Sequence, residues 1–160
     1  MTRVLLSLAV LAIFLLCLYC MWRGWQHRKR RQADLPGFPP PPAETGATVL
    51  ETTGVYVGTT LGDDWQDRVA VGDVGHRAEA VLRLTEQGVL VEREGASPLW
   101  IPAEQVEGAR TARGLAGKVM TADGLLVVRW QLGDRVLDTG FRGDDKDVYE
   151  QWVRALGGDR

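Results

Sequence analysis

The chain has 160 residues, about the size of one folded domain and too short for a typical multidomain enzyme. Hydrophobic residues make up 45% of it and charged residues 25%, which is typical of a folded protein and not of a disordered one. The formal net charge of −2 conceals an asymmetry, because residues 1–31 carry six positive and no negative side chains while residues 32–160 carry a net charge of −8. An acidic domain behind a short basic segment argues against nucleic acid as a partner.

The first predicted element is an apolar run of 19 residues from Val4 to Trp22. As a helix with a rise of about 1.5 Å per residue it spans roughly 28 Å, close to the hydrocarbon thickness of a bilayer. A signal peptide would have a shorter apolar region followed by a small-residue cleavage site. We therefore expect an uncleaved transmembrane helix that contacts the lipid bilayer through residues 4–22.

Basic residues after this run indicate its orientation. Only Arg3 precedes the run, whereas a basic collar follows it, formed by Arg23, Arg28, Lys29, Arg30 and Arg31. The positive-inside rule then predicts a single-pass protein of the plasma membrane, with its N-terminus outside and its C-terminal domain in the cytoplasm. Binding of the collar to anionic lipids remains open as a second role.

A proline-rich segment separates the collar from the rest of the chain. Residues 35–46 read LPGFPPPPAETG, and four consecutive prolines favour an extended spacer of about 3.1 Å per residue. We expect this spacer to hold the next domain away from the membrane surface. The predicted organisation is an anchor with its collar over 1–31, a linker over 32–47 and a domain over 48–160.

The domain is predicted to consist mainly of β-strands. Apolar and polar residues alternate over 55–61 and 78–84, the pattern of half-buried strands. Further strands are expected over 89–93, 99–101, 106–111, 125–132 and 135–141. The pairs Asp123-Gly124 and Gly133-Asp134 are typical of hairpin turns and flank the most strand-like of these segments.

The end of the chain changes to a helical period. One apolar stripe is formed by Val148, Tyr149, Trp152, Val153 and Leu156. Asp144 or Asp145 is expected to cap the start of this helix, and Gly157-Gly158 to end it. The predicted fold class is α+β, a bent antiparallel sheet or partial barrel of about seven strands capped by the C-terminal helix.

Four segments of the chain resemble a known family. They read GVYVGTT (54–60), LWIPAEQVEG (99–108), GLAGKV (114–119) and GLLVVRWQLGDRVLDTGFRGDD (124–145). They are similar to an actinobacterial family of single-pass membrane proteins with a bacterial pleckstrin-homology-like (PH-like) domain, and the resemblance covers most of 4–156. It implies the fold and the membrane topology, and no activity.

Two short motifs suggest catalysis, and both have a simpler explanation. Residues 136–140 read VLDTG, the form of an aspartic-protease active site, in which two aspartates share a proton. Only twenty residues follow Gly140, so we interpret the motif as an ordinary strand. Residues 114–119 read GLAGKV, which has too few residues between its glycines for a phosphate-binding loop and lacks the hydroxyl that binds magnesium.

The chain has few of the side chains that act as nucleophiles or bases in enzymes. Ser7 and Ser97 are the only serines, and His76 is the only histidine after residue 31. That is too few for a convincing triad or a histidine-based metal site. We therefore expect no enzyme activity, no cofactor and no bound metal, and we expect the tryptophans of the domain to belong mostly to its core.

Binding is the remaining class of function. Residues 62–77, which correspond to the loop where eukaryotic PH domains often bind phosphoinositides, are net acidic, so phosphoinositide binding is not expected. The fold instead offers a slot between its last helix and a neighbouring sheet edge, with Arg142, Asp144 and Asp145 expected at its mouth. Lys118 is a further candidate, for an anionic ligand.

The sequence thus predicts a non-catalytic binding or scaffolding module on the cytoplasmic face, acting through a protein partner or self-association. The alternative is an accessory subunit of a membrane transport or export system, in which the transmembrane helix itself makes the contact.

Overall fold

The computed structural model describes residues 1–62, 64–120 and 124–157, apart from the side chains of Arg31 and Lys118. The chain divides into two compact units, Met1–Asp34 and Leu35–Arg160.

The first unit is one α-helix, α1, Thr2–Gln32. Its Thr2–Arg30 part is long and apolar enough to cross a membrane, and its apolar side chains are exposed along its length. The helix continues beyond Trp22, the end of the predicted membrane-spanning run, because arginine, lysine and glutamine favour helices and the first proline comes only at position 36. Within this extension Lys29 Nζ lies 3.9 Å from the ring centroid of Trp25, one turn earlier on the same face.

The second unit is built on a seven-stranded antiparallel sheet. In chain order the strands are β1 Thr48–Leu61, β2 Ala78–Thr85, β3 Gly88–Arg93, β4 Leu99–Pro102, β5 Val106–Ala112, β6 Gly114–Leu115, β7 Lys118–Val119, β8 Leu125–Leu132 and β9 Arg135–Gly143. Across the sheet the order is β4-β3-β2-β1-β9-β8-β5, while β6 and β7 form a separate small hairpin. Strands β4 and β5 are therefore the two edges of the sheet.

The predicted turn between β8 and β9 is confirmed. Leu132 pairs with Arg135, which leaves Gly133 and Asp134 as a two-residue turn, and Gly133 adopts the positive φ of +62° that such turns require. Asp123, predicted to turn the chain into β8, lies outside the described residues.

Apolar side chains cover both faces of the sheet. On one face a large core includes the fully buried Trp130, Trp152 and Tyr56. On the other face a smaller cluster lies beneath the β6–β7 hairpin and consists of Val57, Leu115, Ala116, Leu125 and Val127. Consecutive residues of β8 thus point alternately into the two clusters, which explains why this strand is almost continuously apolar.

Not every tryptophan of the domain is in the core. Trp100, Trp130 and Trp152 are buried as predicted, but Trp65 is 43% exposed. Trp65 lies in the connection between β1 and β2, where its carbonyl oxygen accepts a hydrogen bond from the Ala116 amide at 2.7 Å. The backbone of Trp65 is therefore fixed while its ring stays accessible to solvent.

The C-terminal helix, α2, spans Tyr149–Ala155 and packs against β5. The predicted apolar stripe is confirmed, since all five of its residues belong to the large core or pack against it. The predicted N-terminal cap is wrong, because Val148 is the N-cap residue and no side chain caps the helix there. Asp144 instead accepts a hydrogen bond from Thr53, and Asp145 accepts one from the Asp147 amide. Gly157 follows the helix with a φ of +72°, the conformation expected of a terminating glycine.

Part of the predicted spacer packs on the sheet unit. Leu35 and Phe38 contact the large core, and the ring centroids of Phe38 and Trp130 are 6.1 Å apart. Pro36 lies over the β8–β9 turn, where its Cγ would be 2.7 Å from a Cβ placed on Gly133. The domain limits stay a prediction, but residues 35–38 contribute to the folded unit and are not free spacer.

The predicted α+β class is therefore confirmed: an apolar N-terminal helix, an open antiparallel sheet of seven strands and a C-terminal helix.

Candidate functional site

A groove follows the edge strand β5 where α2 packs beside it. One edge of β5 pairs with β8, and no described strand pairs with its other edge. The end of α2 approaches β5 so closely that a Cβ on Gly108 would lie 2.7 Å from the Gly157 carbonyl oxygen. We call this the β5–α2 groove.

Two adjoining depressions make up the β5–α2 groove. The first has a volume of about 440 Å³ and is lined by Glu107, Gly108, Ala109, Arg110, Arg129 and Gly157. The second, of about 360 Å³, is lined by Ala109, Arg110, Thr111, Glu150, Val153 and Arg154. Because both share Ala109 and Arg110, the groove is continuous along β5, with Arg110 in the middle.

A buried carboxylate holds two arginines at this groove. Asp138 in β9 is 3% exposed and lies opposite Arg129 in β8. Arg129 donates to Asp138 Oδ1 at 2.9 Å and to Oδ2 at 3.0 Å, and Arg110 in β5 donates to the same two oxygens at 3.3 and 2.8 Å. Arg129 also donates to the Gly62 carbonyl oxygen. We call these three residues the Arg110–Asp138–Arg129 cluster.

The two arginines determine the protonation of Asp138. Burial by itself would raise the pKa of this carboxyl group, but hydrogen bonds and positive charge from Arg129 and Arg110 outweigh burial, so its pKa lies below the ordinary value of 3.8. Asp138 is therefore an ionised structural acceptor at neutral pH, and it does not have the raised pKa of a carboxyl group that carries a shared proton.

The protease-like motif is explained residue by residue as part of β9. Asp138 binds the two arginines on one face, while Thr139 on the other accepts a hydrogen bond from Trp130 Nε1 and pairs with the Thr59 hydroxyl at 2.9 Å. Gly140 leaves space for Leu115, whose Cδ2 would lie 2.4 Å from a Cβ at this position. The interpretation of the motif as a strand is thus supported, and each of its three residues has a packing role.

We predict that replacing Asp138 by asparagine lowers the free energy of unfolding by about 2 kcal/mol at pH 7, because charge-assisted hydrogen bonds are lost. A lowered folded-state pKa gives stability that is complete above the unfolded-state pKa of about 3.9 and is lost as the pH falls through the folded-state value. The difference in the free energy of unfolding between Asp138→Asn and the wild type should therefore become smaller below about pH 4. Denaturant unfolding at several pH values measures it, with Asp134→Asn at an exposed turn as the control. A difference that stays constant down to pH 2 would contradict this assignment.

Two of the predicted partner-binding residues lie elsewhere. Arg142 and Asp144 line a separate depression of about 570 Å³ together with Thr53, Glu79 and Glu92. Neither they nor Asp145 is among the described residues that line the β5–α2 groove. The reason is topological: β9 ends next to β1, whereas the groove lies along β5, two strands away. Whether these residues bind a partner stays a prediction.

The remaining predicted site residues are distributed between the two units. Arg23, Arg28, Lys29 and Arg30 lie on α1, as does Arg31, whose side chain is outside the described part. Lys118 begins β7, and its side chain is likewise outside the described part. Their roles in topology and in anion binding stay predictions.

The GLAGKV segment forms the β6–β7 hairpin. Its two turn residues, Ala116 and Gly117, both have positive φ, at 52° and 74°. This is the backbone of a tight hairpin turn and not of a phosphate-binding loop that leads into a helix.

The connection between β1 and β2 is held by arginine and aspartate. Arg68 donates to the carbonyl oxygens of Gly75 and Ala116, both at 2.7 Å. Asp73 accepts hydrogen bonds from Arg93 and from the Ser97 amide, at 2.6 and 2.8 Å. Arg68 and Asp73 are thus used for internal bonds, and among the described residues no group of three His, Cys, Asp or Glu side chains is placed to hold a metal.

The antiparallel sheet and its C-terminal helix have the architecture expected of a PH-like domain. A comparison with family models identifies the class of protein. Residues 35–157 match the Bacterial PH domain-like family, and the chain belongs to this family. The match begins at Leu35, where the proline-rich segment starts to pack on the sheet unit.

Other comparisons add little. The comparison with curated proteins gave no match. Among solved structures, the chain is similar to the crystal structure of the C-terminal domain of an unknown protein from Leishmania infantum, with 11% identity and a TM-score of 0.41, over 85% of this chain and 94% of that one. At this score the similarity supports no further argument.

The Arg110–Asp138–Arg129 cluster was not predicted from the sequence, although the sequence contains the turn that determines part of it. A two-residue turn at Gly133-Asp134 fixes the register of its hairpin, and this register alone places Arg129 opposite Asp138. The contribution of Arg110 depends on the register between β5 and β8, for which the sequence holds no comparable marker.

Proposed function

We propose that this protein is a membrane-tethered, non-catalytic binding or scaffolding module, in which the PH-like domain binds a protein segment in the β5–α2 groove. The observation that carries the proposal is the edge of β5 beside α2, with which no described strand pairs. An edge strand presents unpaired backbone N–H and C=O groups, and an extended peptide can satisfy them by adding to the sheet.

The shape of the groove supports strand addition. Gly108, Ala109 and Gly157 are small, so the backbone of a bound segment can approach the strand closely. The second depression adds Val153 as an apolar contact and Thr111 as an exposed polar one.

Tethering to a membrane is the second part of the proposal. It is supported by the length and apolar surface of α1 and by the basic residues near the end of this helix. With the positive-inside rule these features favour an N-terminus outside and a domain in the cytoplasm of a plasma membrane. Protease treatment of intact spheroplasts should leave the domain uncut, and digestion of the domain under these conditions would contradict the orientation.

Blocking the groove is the direct test of binding. Thr111 is exposed and lines the second depression, so tryptophan at this position should fill the groove without disturbing the core. We expect Thr111→Trp to abolish the partner cross-links that the full-length protein forms in its native membrane. Thr48→Trp, at an exposed position of β1, is the matched control and should retain them. Equal cross-linking by both variants would contradict binding in the groove.

A further inference from the structure

We propose that the second depression of the β5–α2 groove binds one large apolar side chain of the bound peptide, such as leucine, isoleucine or phenylalanine. This inference rests on the proposed peptide binding at β5 and names the residue type that the partner contains. The observation that carries it is the arrangement of Ala109, Thr111 and Val153 around this depression.

Small and apolar side chains from both elements line the depression. Ala109 in β5 belongs to the large core and is 4% exposed, and its short side chain leaves the space beside it open. Val153 in α2 is half-buried, because it packs against the large core and also lines the depression. A side chain that enters this space therefore buries its own apolar surface together with that of Val153, which favours binding.

The charged residues that line the depression are held by partners within the molecule. Arg154 donates to Glu150 at 3.0 Å, one turn away on α2, and Arg110 donates to both carboxylate oxygens of Asp138. A charged side chain of the peptide would have to compete with these internal pairs, whereas an apolar side chain would not. The depression therefore favours an apolar residue over a charged one.

The geometry of strand addition determines which residue of the peptide enters the depression. Successive side chains of a strand point to opposite faces of the sheet, and directly opposite residues of paired strands share a face. Ala109 and Thr111 are two positions apart in β5, and both line the depression beside α2. A peptide residue paired with either of them faces α2, while its two neighbours face away. We therefore expect an apolar residue at one fixed position of the peptide.

Thr111 makes the inference testable in both directions, because it is exposed and can be replaced without disturbing the core. Valine has the shape of threonine without its hydroxyl group, so Thr111→Val should bind the peptides a few times more tightly. Thr111→Glu places a carboxylate against the apolar side chain and should weaken their binding about tenfold. A loss of folding would weaken binding in both variants, so it cannot produce this opposite pair of effects.

The experiment uses the full-length protein in nanodiscs and a phage library of random seven-residue peptides. Peptides that bind empty nanodiscs or the blocked variant Thr111→Trp are removed first, because they bind lipid or another part of the protein. We expect the wild-type protein to select peptides with a large apolar residue at one fixed position, and Thr111→Glu to select lysine or arginine at this position instead. Thr48→Glu, at an exposed position of β1, is the matched control and should select the same peptides as the wild type.

The outcomes separate this inference from the proposed function. If the wild type selects peptides that share no apolar position, or if Thr111→Glu selects the same peptides as the wild type, the inference is wrong and peptide binding stands. If the wild type selects no peptide after the first removal step, strand addition at β5 fails and the inference fails with it.

Discussion

Replacing Trp152 by alanine is expected to lower the free energy of unfolding of the sheet unit by about 3–5 kcal/mol, the usual cost of removing a fully buried tryptophan. Trp152 is 0% exposed and is the largest side chain that α2 contributes to the main core. A helix of seven residues is not stable on its own, so α2 depends on this contact to stay on the sheet.

The loss of Trp152 should also affect binding, because α2 forms one wall of the β5–α2 groove. Denaturant unfolding of the full-length protein in detergent, followed by circular dichroism, measures the stability. Gln151→Ala is the matched control, since the neighbouring residue is exposed and should change stability by less than about 0.5 kcal/mol. A loss below about 1 kcal/mol for Trp152→Ala would mean that α2 does not pack on the sheet through this side chain.

Replacing Gly54 by alanine is expected to cost at least about 3 kcal/mol, because the added methyl group would collide with backbone and not with a movable side chain. A Cβ at Gly54 would lie 2.2 Å from the Arg142 carbonyl oxygen and 2.8 Å from the Cα of Gly143. Gly54 and Gly143 are direct partners in the β1–β9 ladder, so strands at the centre of the sheet would have to separate.

A second glycine provides the control for Gly54. A Cβ at Gly37 would meet no atom within 4 Å, and the residue is exposed. Gly37→Ala should therefore leave stability unchanged or raise it slightly through the unfolded chain. Thermal unfolding of both variants separates the close approach of two strands from a general effect of alanine. Equal melting temperatures for the two variants would contradict the β1–β9 register.

Elements with a strong local pattern could be predicted from the sequence. The alternation in β2, the glycine turn between β8 and β9, and the apolar stripe of α2 each depend on residues close together in the chain. These signals were sufficient for the α+β class and for the order of the seven strands of the main sheet, but not for the β6–β7 hairpin. The resemblance to PH-like domains added the architecture, and the family match supports it.

Features that depend on distant residues could not be predicted in this way. Asp144 was expected to cap α2, but Thr53, 91 positions away, donates to its carboxylate. Phe38 was assigned to a spacer, and only the folded sheet brings Trp130 into contact with it. Arg110 and Asp138 are likewise 28 positions apart, on strands whose pairing the sequence does not fix. In each case the deciding contact joins residues that are far apart in the chain.

The transport alternative assigns recognition to the transmembrane helix, whereas binding in the β5–α2 groove assigns it to the PH-like domain. The two predict different behaviour when the anchor is exchanged. In one variant residues 1–31 are replaced by an unrelated membrane helix that keeps a basic collar, and the domain is left unchanged. The wild-type chain serves as the reference, expressed at the same level in the same cells.

Cross-linking of both chains in the native membrane, followed by mass spectrometry, tests the central claim most directly. If the PH-like domain is the binding element, the variant with the exchanged anchor retains the partners of the wild type, and Thr111→Trp in that variant removes them. Loss of these partners on exchange of the anchor alone would contradict the claim and would place recognition in the transmembrane helix.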